Sequence, residues 1–206
     1  MPVKLLLIVI GLALLLPTRA VAFNDHLLLD TDRGEILIQL NFARAPLTAE
    51  NVMSLAEAGH YDGLIFHRVI EDFVIQTGGY DPDMEERRSE EQIPNESGNG
   101  LSNERGTVAL ARGSDPHSGS AQFYINLSDN SRLDPRSTRW GYAVFGRVRA
   151  GMSVADEIAG LPTGGRAHLS SDVPEEDVRI RRARPMSYEE AEAWLQDRNN
   201  ASDEED

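Results

Sequence analysis

The chain has 206 residues, with 20 Lys+Arg against 34 Asp+Glu for a net charge of −14, and is 40% hydrophobic and 6% aromatic. That length suits one domain with a real core and a short appendage. The acidic balance excludes a nucleic-acid backbone as partner, and the lack of cysteine removes disulfides, thiolate catalysis, iron–sulfur clusters and Cys-type zinc sites.

Residues 1–22 stand apart. Lys4 supplies a positive start, Leu5 to Leu16 is apolar apart from Gly11, and Ala20-Val21-Ala22 offers a small-x-small cleavage site. The apolar run is about 12 residues, too short to cross a bilayer core of roughly 30 Å. A cleaved secretory signal peptide is the expectation, with a mature chain starting near Phe23, located in the periplasm of a Gram-negative cell and without stable membrane insertion. Lys4 is the only lysine, so the mature cations are 18 arginines against 34 acids, and lysine Schiff-base and P-loop chemistry are excluded. Genomic base composition and an acidic surface suited to salty surroundings both account for that bias.

Leu28–Thr31 and Glu35–Leu40 read as a hairpin around Asp32-Arg33-Gly34. Thr48 is placed to cap a helix that buries Ala49, Val52, Met53, Leu55 and Ala56 and stops at Gly59. Strand-like runs follow at 65–70 and 73–76, then a polar, glycine-rich excursion from Gly78 to Gly106, a length that usually carries function. Short strands are expected at 107–111, 122–127 and 142–148, an irregular segment at 128–140, a short helix at 154–159 and a closing strand at 178–182. Many short strands, two helices and no βαβ rhythm indicate an antiparallel barrel or an α+β domain, here residues 23–186. In the acidic tail, 187–206, Ser187 and Glu190 form a capping-box pattern, and Tyr188, Ala191, Trp194 and Leu195 share one helical face. That helix either packs on the parent domain or docks a partner.

The five histidines, at 26, 60, 67, 117 and 168, show no ligand spacing, so no metal site is expected. Neither a G-x-S-x-G elbow nor a glycine-rich phosphate loop occurs. The specific signal is Phe66-His67-Arg68-Val69-Ile70-Glu71-Asp72-Phe73-Val74-Ile75-Gln76-Thr77-Gly78-Gly79. Strict alternation puts Phe66, Arg68 and Ile70 on one strand face. An arginine there requires a partner: Gln76 is one candidate, and a backbone carbonyl or carboxylate in a purely structural role is the other.

That stretch, with Asn103–Arg112, Pro116–Asn126, Gly141–Val148 and Asp172–Pro174 in the same order, resembles the cyclophilins, which are peptidyl-prolyl cis–trans isomerases, over about residues 26–184. The resemblance is closest to the short bacterial type. It implies a mainly β fold, an eight-stranded antiparallel barrel capped by two α-helices. It also implies a monomeric enzyme without cofactor, acting on X–Pro bonds of unfolded or partly folded polypeptides. By similarity Arg68 is the catalytic donor and Gln76 positions it. Phe73, Val74, Tyr124 and Leu133 match the proline pocket, Gln122 a substrate-backbone contact at its rim, Gly113 a backbone contact to the residue before proline, and Tyr142 a polar edge. Val74 stands for the usual methionine and Tyr124 for phenylalanine, which predicts a shorter wall and a more polar one. Glu71-Asp72 replaces a common Pro-Gly turn. Arg132 stands near the eukaryotic tryptophan that binds cyclosporin, so weak cyclosporin binding is implied, and Trp140 has the option of folding back to the same rim. The competing reading is a proline-peptide binding or holdase module with incidental turnover.

Overall fold

The computed structural model describes residues 23–89 and 91–203; the expected signal peptide lies outside them. Strands β1 (Asn24–Thr31) and β2 (Gly34–Leu40) form the opening hairpin, its turn closed by Thr31 Oγ1, which donates to the Gly34 carbonyl at 2.6 Å and accepts from Arg33 N at 3.2 Å. Helix α1 (Pro46–Glu57) follows, then β3 (Arg68–Ile70), β4 (Val74–Thr77), β5 (Thr107–Leu110), β6 (Phe123–Asn126) and β7 (Val144–Ala150). Helix α2 (Met152–Ala159), a separate hairpin of β8 (Thr163–Arg166) and β9 (Leu169–Pro174), β10 (Ile180–Ser187) and α3 (Tyr188–Asp203) complete the chain. The eight remaining strands form one antiparallel sheet in the order β10-β1-β2-β7-β5-β6-β4-β3. Its two edges meet just before β3 and β10, where Ile65 pairs with Arg179, Phe66 N donates to Val178 O at 3.0 Å and Ile180 N to Leu64 O at 2.8 Å.

Period-2 alternation sorts the side chains. Leu27, Leu29, Ile36, Ile38, Val69, Ile75, Phe123, Ile125 and Phe145 fill the interior and are buried against Val52 and Met53 of α1 and Ile158 of α2. The barrel is therefore solid, and any binding surface must lie on its outside. One outer patch, Leu28, Leu37 and Met186, is covered by Ala191, Trp194 and Leu195 of α3. The capping box forms as expected, with Ser187 N on Glu190 Oε2 at 2.8 Å and Glu190 N on Ser187 Oγ at 3.3 Å. Helix α3 thus packs on the sheet, and Arg198 reaches Glu35 at 3.0 Å.

The structure corrects several expectations. Thr48 does not cap α1: the helix starts at Pro46, and Glu96 from the long loop supplies the anion, accepting from Leu47 N at 3.1 Å, Thr48 N at 2.8 Å and Thr48 Oγ1 at 2.7 Å. A carboxylate there satisfies free N–H groups and meets the positive helix end. Phe66 is not on the face of Arg68, because β3 begins only at Arg68 and Phe66 sits in the core. The closing strand runs to Ser187, the β8–β9 hairpin was not foreseen, and Tyr188 is 54% exposed rather than buried with its helical neighbours.

Candidate active site

One row of outward residues crosses five strands. Arg68 lies opposite Gln76, Gln76 opposite Tyr124, Tyr124 opposite Ala109 and Ala109 opposite Val144. Val74, one pleat along β4, joins Ala109, Tyr124 and Val144 in an apolar cluster that gathers Phe73, Ala111, Leu133 and Tyr142. Above them opens a cavity of about 290 Å³, walled by Phe73, Val74, Tyr124, Leu133 and Tyr142, with Arg68, Gln76 and Arg112 at its polar side. That volume admits a ring and its immediate neighbours rather than a large cofactor. A larger groove of about 690 Å³, near Phe23, Phe42 and Leu101, also holds an arginine, Arg147, but that one is exposed and pairs with Glu104 at 3.7 Å.

Arg68 is half-buried, 5.8 Å from the Phe73 ring centroid, and its Nη1 donates to Gln76 Oε1 at 3.4 Å. Gln76 Nε2 in turn donates to Gln122 Oε1 at 2.9 Å, so two amides in series orient the guanidinium. The glycine pair of the motif makes this possible. A Cβ on Gly79 would stand 2.4 Å from Gln122 Nε2, and Gly78 combines a φ of +90° with a Cβ position 2.7 Å from the Ala121 carbonyl. Among the described residues no carboxylate forms an ion pair with Arg68. Its charge is thus not neutralised by a carboxylate, and it lines an apolar cup, where a charge-assisted hydrogen bond is stronger than in water.

The opposite wall hangs on Asn103, which is buried. Its Oδ1 accepts from Tyr124 Oη at 2.9 Å and Asn126 Nδ2 at 3.2 Å, while its N and Nδ2 both donate to Asp134 Oδ1, at 2.7 and 2.9 Å. The Tyr124 hydroxyl is therefore turned into the protein, and burial pushes its ionisation far up. The pocket meets the ring, so the expected polar wall is absent. Gly141 lets the loop close: a Cβ there would come within 2.4 Å of Pro135 N, and Tyr142 N donates to Leu133 O at 2.9 Å, pinning two pocket residues together.

Not every expected residue enters the cup. Gln122 lines a neighbouring cavity of about 300 Å³ shared with His67, Arg68, Gln76 and the β9 residues Leu169 to Asp172. Gly113 is exposed, its N–H donates to Ser118 Oγ at 2.9 Å and its carbonyl accepts from Arg112 Nη1 at 2.9 Å, so both of its backbone groups already have partners. Trp140 is 45% exposed and packs edge-on to His117, 5.4 Å between centroids, outside the cup. Sequence reasoning passed over Asn103, Ala111 and Arg112. Arg112 stands 4.6 Å over the Tyr142 ring and donates to the carbonyls of Trp140 and Gly141, at 2.9 and 3.2 Å. Its signal was its place two residues past the end of β5, whose Ala109 belongs to the apolar cluster under the cup. Among the described residues no group of acidic and histidine side chains is arranged to hold a metal ion.

An outer-face cup on an eight-stranded barrel, with Arg68 held by an amide and Arg112 by carbonyls at its polar side, suits recognition by hydrogen bonding and shape. Residues 26–185 match the family model described as cyclophilin type peptidyl-prolyl cis-trans isomerase/CLD. The chain is 51% identical over 160 residues to the peptidyl-prolyl cis-trans isomerase cyp18 of Streptomyces antibioticus, covering 76% of this chain and 95% of the relative. It is 46% identical over 153 residues to peptidyl-prolyl cis-trans isomerase B of Escherichia coli K12, covering 73% and 93%. A crystal structure of a Cryptosporidium parvum cyclophilin-type isomerase, in the presence of the dipeptide Ala-Pro, shares the fold with a TM-score of 0.64 at 22% identity, covering 79% of this chain and 99% of that one. The chain belongs to the cyclophilin-type peptidyl-prolyl cis-trans isomerase family.

Proposed function

We propose that this protein accelerates rotation about X–Pro bonds in polypeptides that are folding after export, with Arg68 as the donor to the prolyl nitrogen and Gln76 as its positioning residue. The planar amide resists rotation by about 18–20 kcal/mol because resonance gives the C–N bond partial double-bond character. Twisting breaks that resonance and leaves a basic, pyramidal nitrogen, which accepts a hydrogen bond that neither planar isomer offers. A fixed guanidinium thus favours the transition state over both ground states. The apolar cup of Phe73, Val74, Tyr124, Leu133 and Tyr142 would hold the proline ring while the preceding chain turns. The chemistry needs no nucleophile, metal or cofactor.

The observation that carries this reading is Arg68 at the lip of that cup, held by Gln76 rather than by a carboxylate. Exchange NMR on an Ala–Pro peptide with the purified protein and Arg68→Ala tests it. Exchange in the parent that falls by about 10²-fold or more in the variant is expected for loss of a transition-state donor. Peptide binding without exchange in the parent would instead make it a proline-peptide holdase. Export is supported by Lys4, the apolar run and Ala20–Ala22, and the N-terminal sequence of the secreted protein should begin near Phe23. Weak cyclosporin binding is supported by Arg132, whose guanidinium stands 4.3 Å over the Phe73 ring, and calorimetric titration checks it.

A further inference from the structure

The chain carries far more acid than base, yet arginines gather around the cup. Arg68 and Arg112 line the proline cup, Arg132 stands on Phe73, and Arg136 and Arg139 pair across the tip of the same loop that supplies Leu133. Among the described residues none of these five forms an ion pair, whereas eight of the thirteen other described arginines do; the unpaired remainder, Arg44, Arg87, Arg179, Arg182 and Arg184, does not line the cup. The guanidiniums of the cup face are held by uncharged groups. Arg112 donates to the carbonyls of Gly113, Trp140 and Gly141, and Arg139 to those of Arg132 and Asp134. Carbonyls orient a guanidinium without cancelling its charge. By the same rule Asp134, whose carboxylate takes its hydrogen bonds from Asn103, keeps its charge, so Asp134, Glu71 and Asp72, with Asp172 across the neighbouring cavity, are the opposing charges near these five arginines. Aligned, un-neutralised cations beside a binding cup on an otherwise acidic molecule form a field that draws in anionic ligands.

We propose that the preferred substrates are acidic segments, in which Asp or Glu lies within about three residues of the proline. An extended chain advances about 3.3 Å per residue, so such a carboxylate falls within about 10 Å of the cup, on the scale of the screening length in physiological salt. This substrate class rests on the isomerase reading above.

The test compares kcat/KM for three peptides with an unchanged Ala–Pro bond, carrying Ala, Glu or Lys two residues to either side of the proline. At about 20 mM salt the Glu peptides should exceed the Ala peptide by about 3–10-fold and the Lys peptides should fall below it, with the differences closing at about 0.5 M salt. In Arg136→Gln/Arg139→Gln the Glu-to-Ala ratio should drop at least about twofold. Equal kcat/KM for all three peptides at low salt, with the Ala peptide turned over, overturns the acidic preference alone. Failure to turn over any of them overturns the isomerase reading beneath it. A ratio that persists at high salt, or survives the double variant, also refutes the preference as argued.

Discussion

Tyr124→Phe separates what the pocket looks like in sequence from what it is in three dimensions. If the hydroxyl faced the bound proline, its removal would make the cup more apolar and raise affinity. In the structure the hydroxyl donates to buried Asn103 Oδ1 at 2.9 Å, and the cup meets only the ring. Phenylalanine keeps that ring. Asn103 Oδ1 retains Asn126 Nδ2 at 3.2 Å, so the substitution leaves no orphaned acceptor, and the loss is one net hydrogen bond of about 0.5–1.5 kcal/mol. In a domain of this size that lowers Tm by about 1–6 °C. Urea unfolding should show the loss, while kcat/KM in the exchange assay stays within about twofold. Asn103→Ala is the harsher contrast, because it strips partners from the Tyr124 hydroxyl and the Asp134 carboxylate at once, costing about 2–4 kcal/mol. A several-fold rise in kcat/KM for Tyr124→Phe at unchanged stability would refute the assignment of the hydroxyl to Asn103.

Gly79→Ala should push Gln122 from its seat and loosen Gln76 behind Arg68, lowering kcat by about 3–10-fold with KM little changed; an unaltered kcat would remove Gln122 from the positioning chain. Asp72 holds a φ of +56° in the β3–β4 turn, so Asp72→Gly should stabilise the protein by about 0.5–1 kcal/mol in denaturant titrations, and destabilisation would show that the aspartate earns its place there by other contacts. His67 is buried, and burial pushes it down to about 4 against the opposing hydrogen bond to Gln122. Its unfolded value is near 6.5, so between pH 6.5 and 4 the unfolded state binds the proton and stability falls as pH drops. From pH 7 to 5 that is about 2 kcal/mol. His67→Gln should flatten the slope by that amount, and an identical slope in both proteins would contradict it. His60 shifts downward for the same reason, and comparison with the variant isolates His67.

Where the determinants are periodic or close in the chain, the sequence is readable. Val74 and Gln76 share a strand face by alternation, while the resemblance implied Arg68, Gln76 and Tyr124 as site residues and strand pairing sets them in one row; Ser187 with Glu190 caps a helix within three residues of chain. Distant partners leave no such trace. Thr48 looks like a cap, but the anion comes from Glu96, a loop residue with no local mark of that role. The direction of the Tyr124 hydroxyl depends on Asn103, which no periodicity connects to β6. Phe66 breaks the expected alternation because the chain there closes the barrel seam against Val178 before pairing begins at Arg68. The β8–β9 hairpin escaped notice because Thr163–Arg166 holds two glycines and no apolar residue, so it carries no alternation to read.

Placing the site outside a filled barrel has a consequence for how binding and rate divide. On the function proposed above, the cup would touch the proline ring, which is the same in cis, trans and twisted forms, so Val74, Phe73 and Leu133 would bind all three alike and act on KM. Arg68 would meet the nitrogen only when resonance is lost, so its orientation would act on kcat. Two jobs of different kind therefore fall on neighbouring residues of one short strand: Val74 shapes the cup, and Gln76, on the same face one pleat further, aims the donor. A strand hydrogen-bonded on both sides, to β3 and β6, holds those two positions in fixed relation. Its inner face is anchored by Ile75 in the core, which makes the aim of Arg68 a property of barrel packing as much as of the site itself.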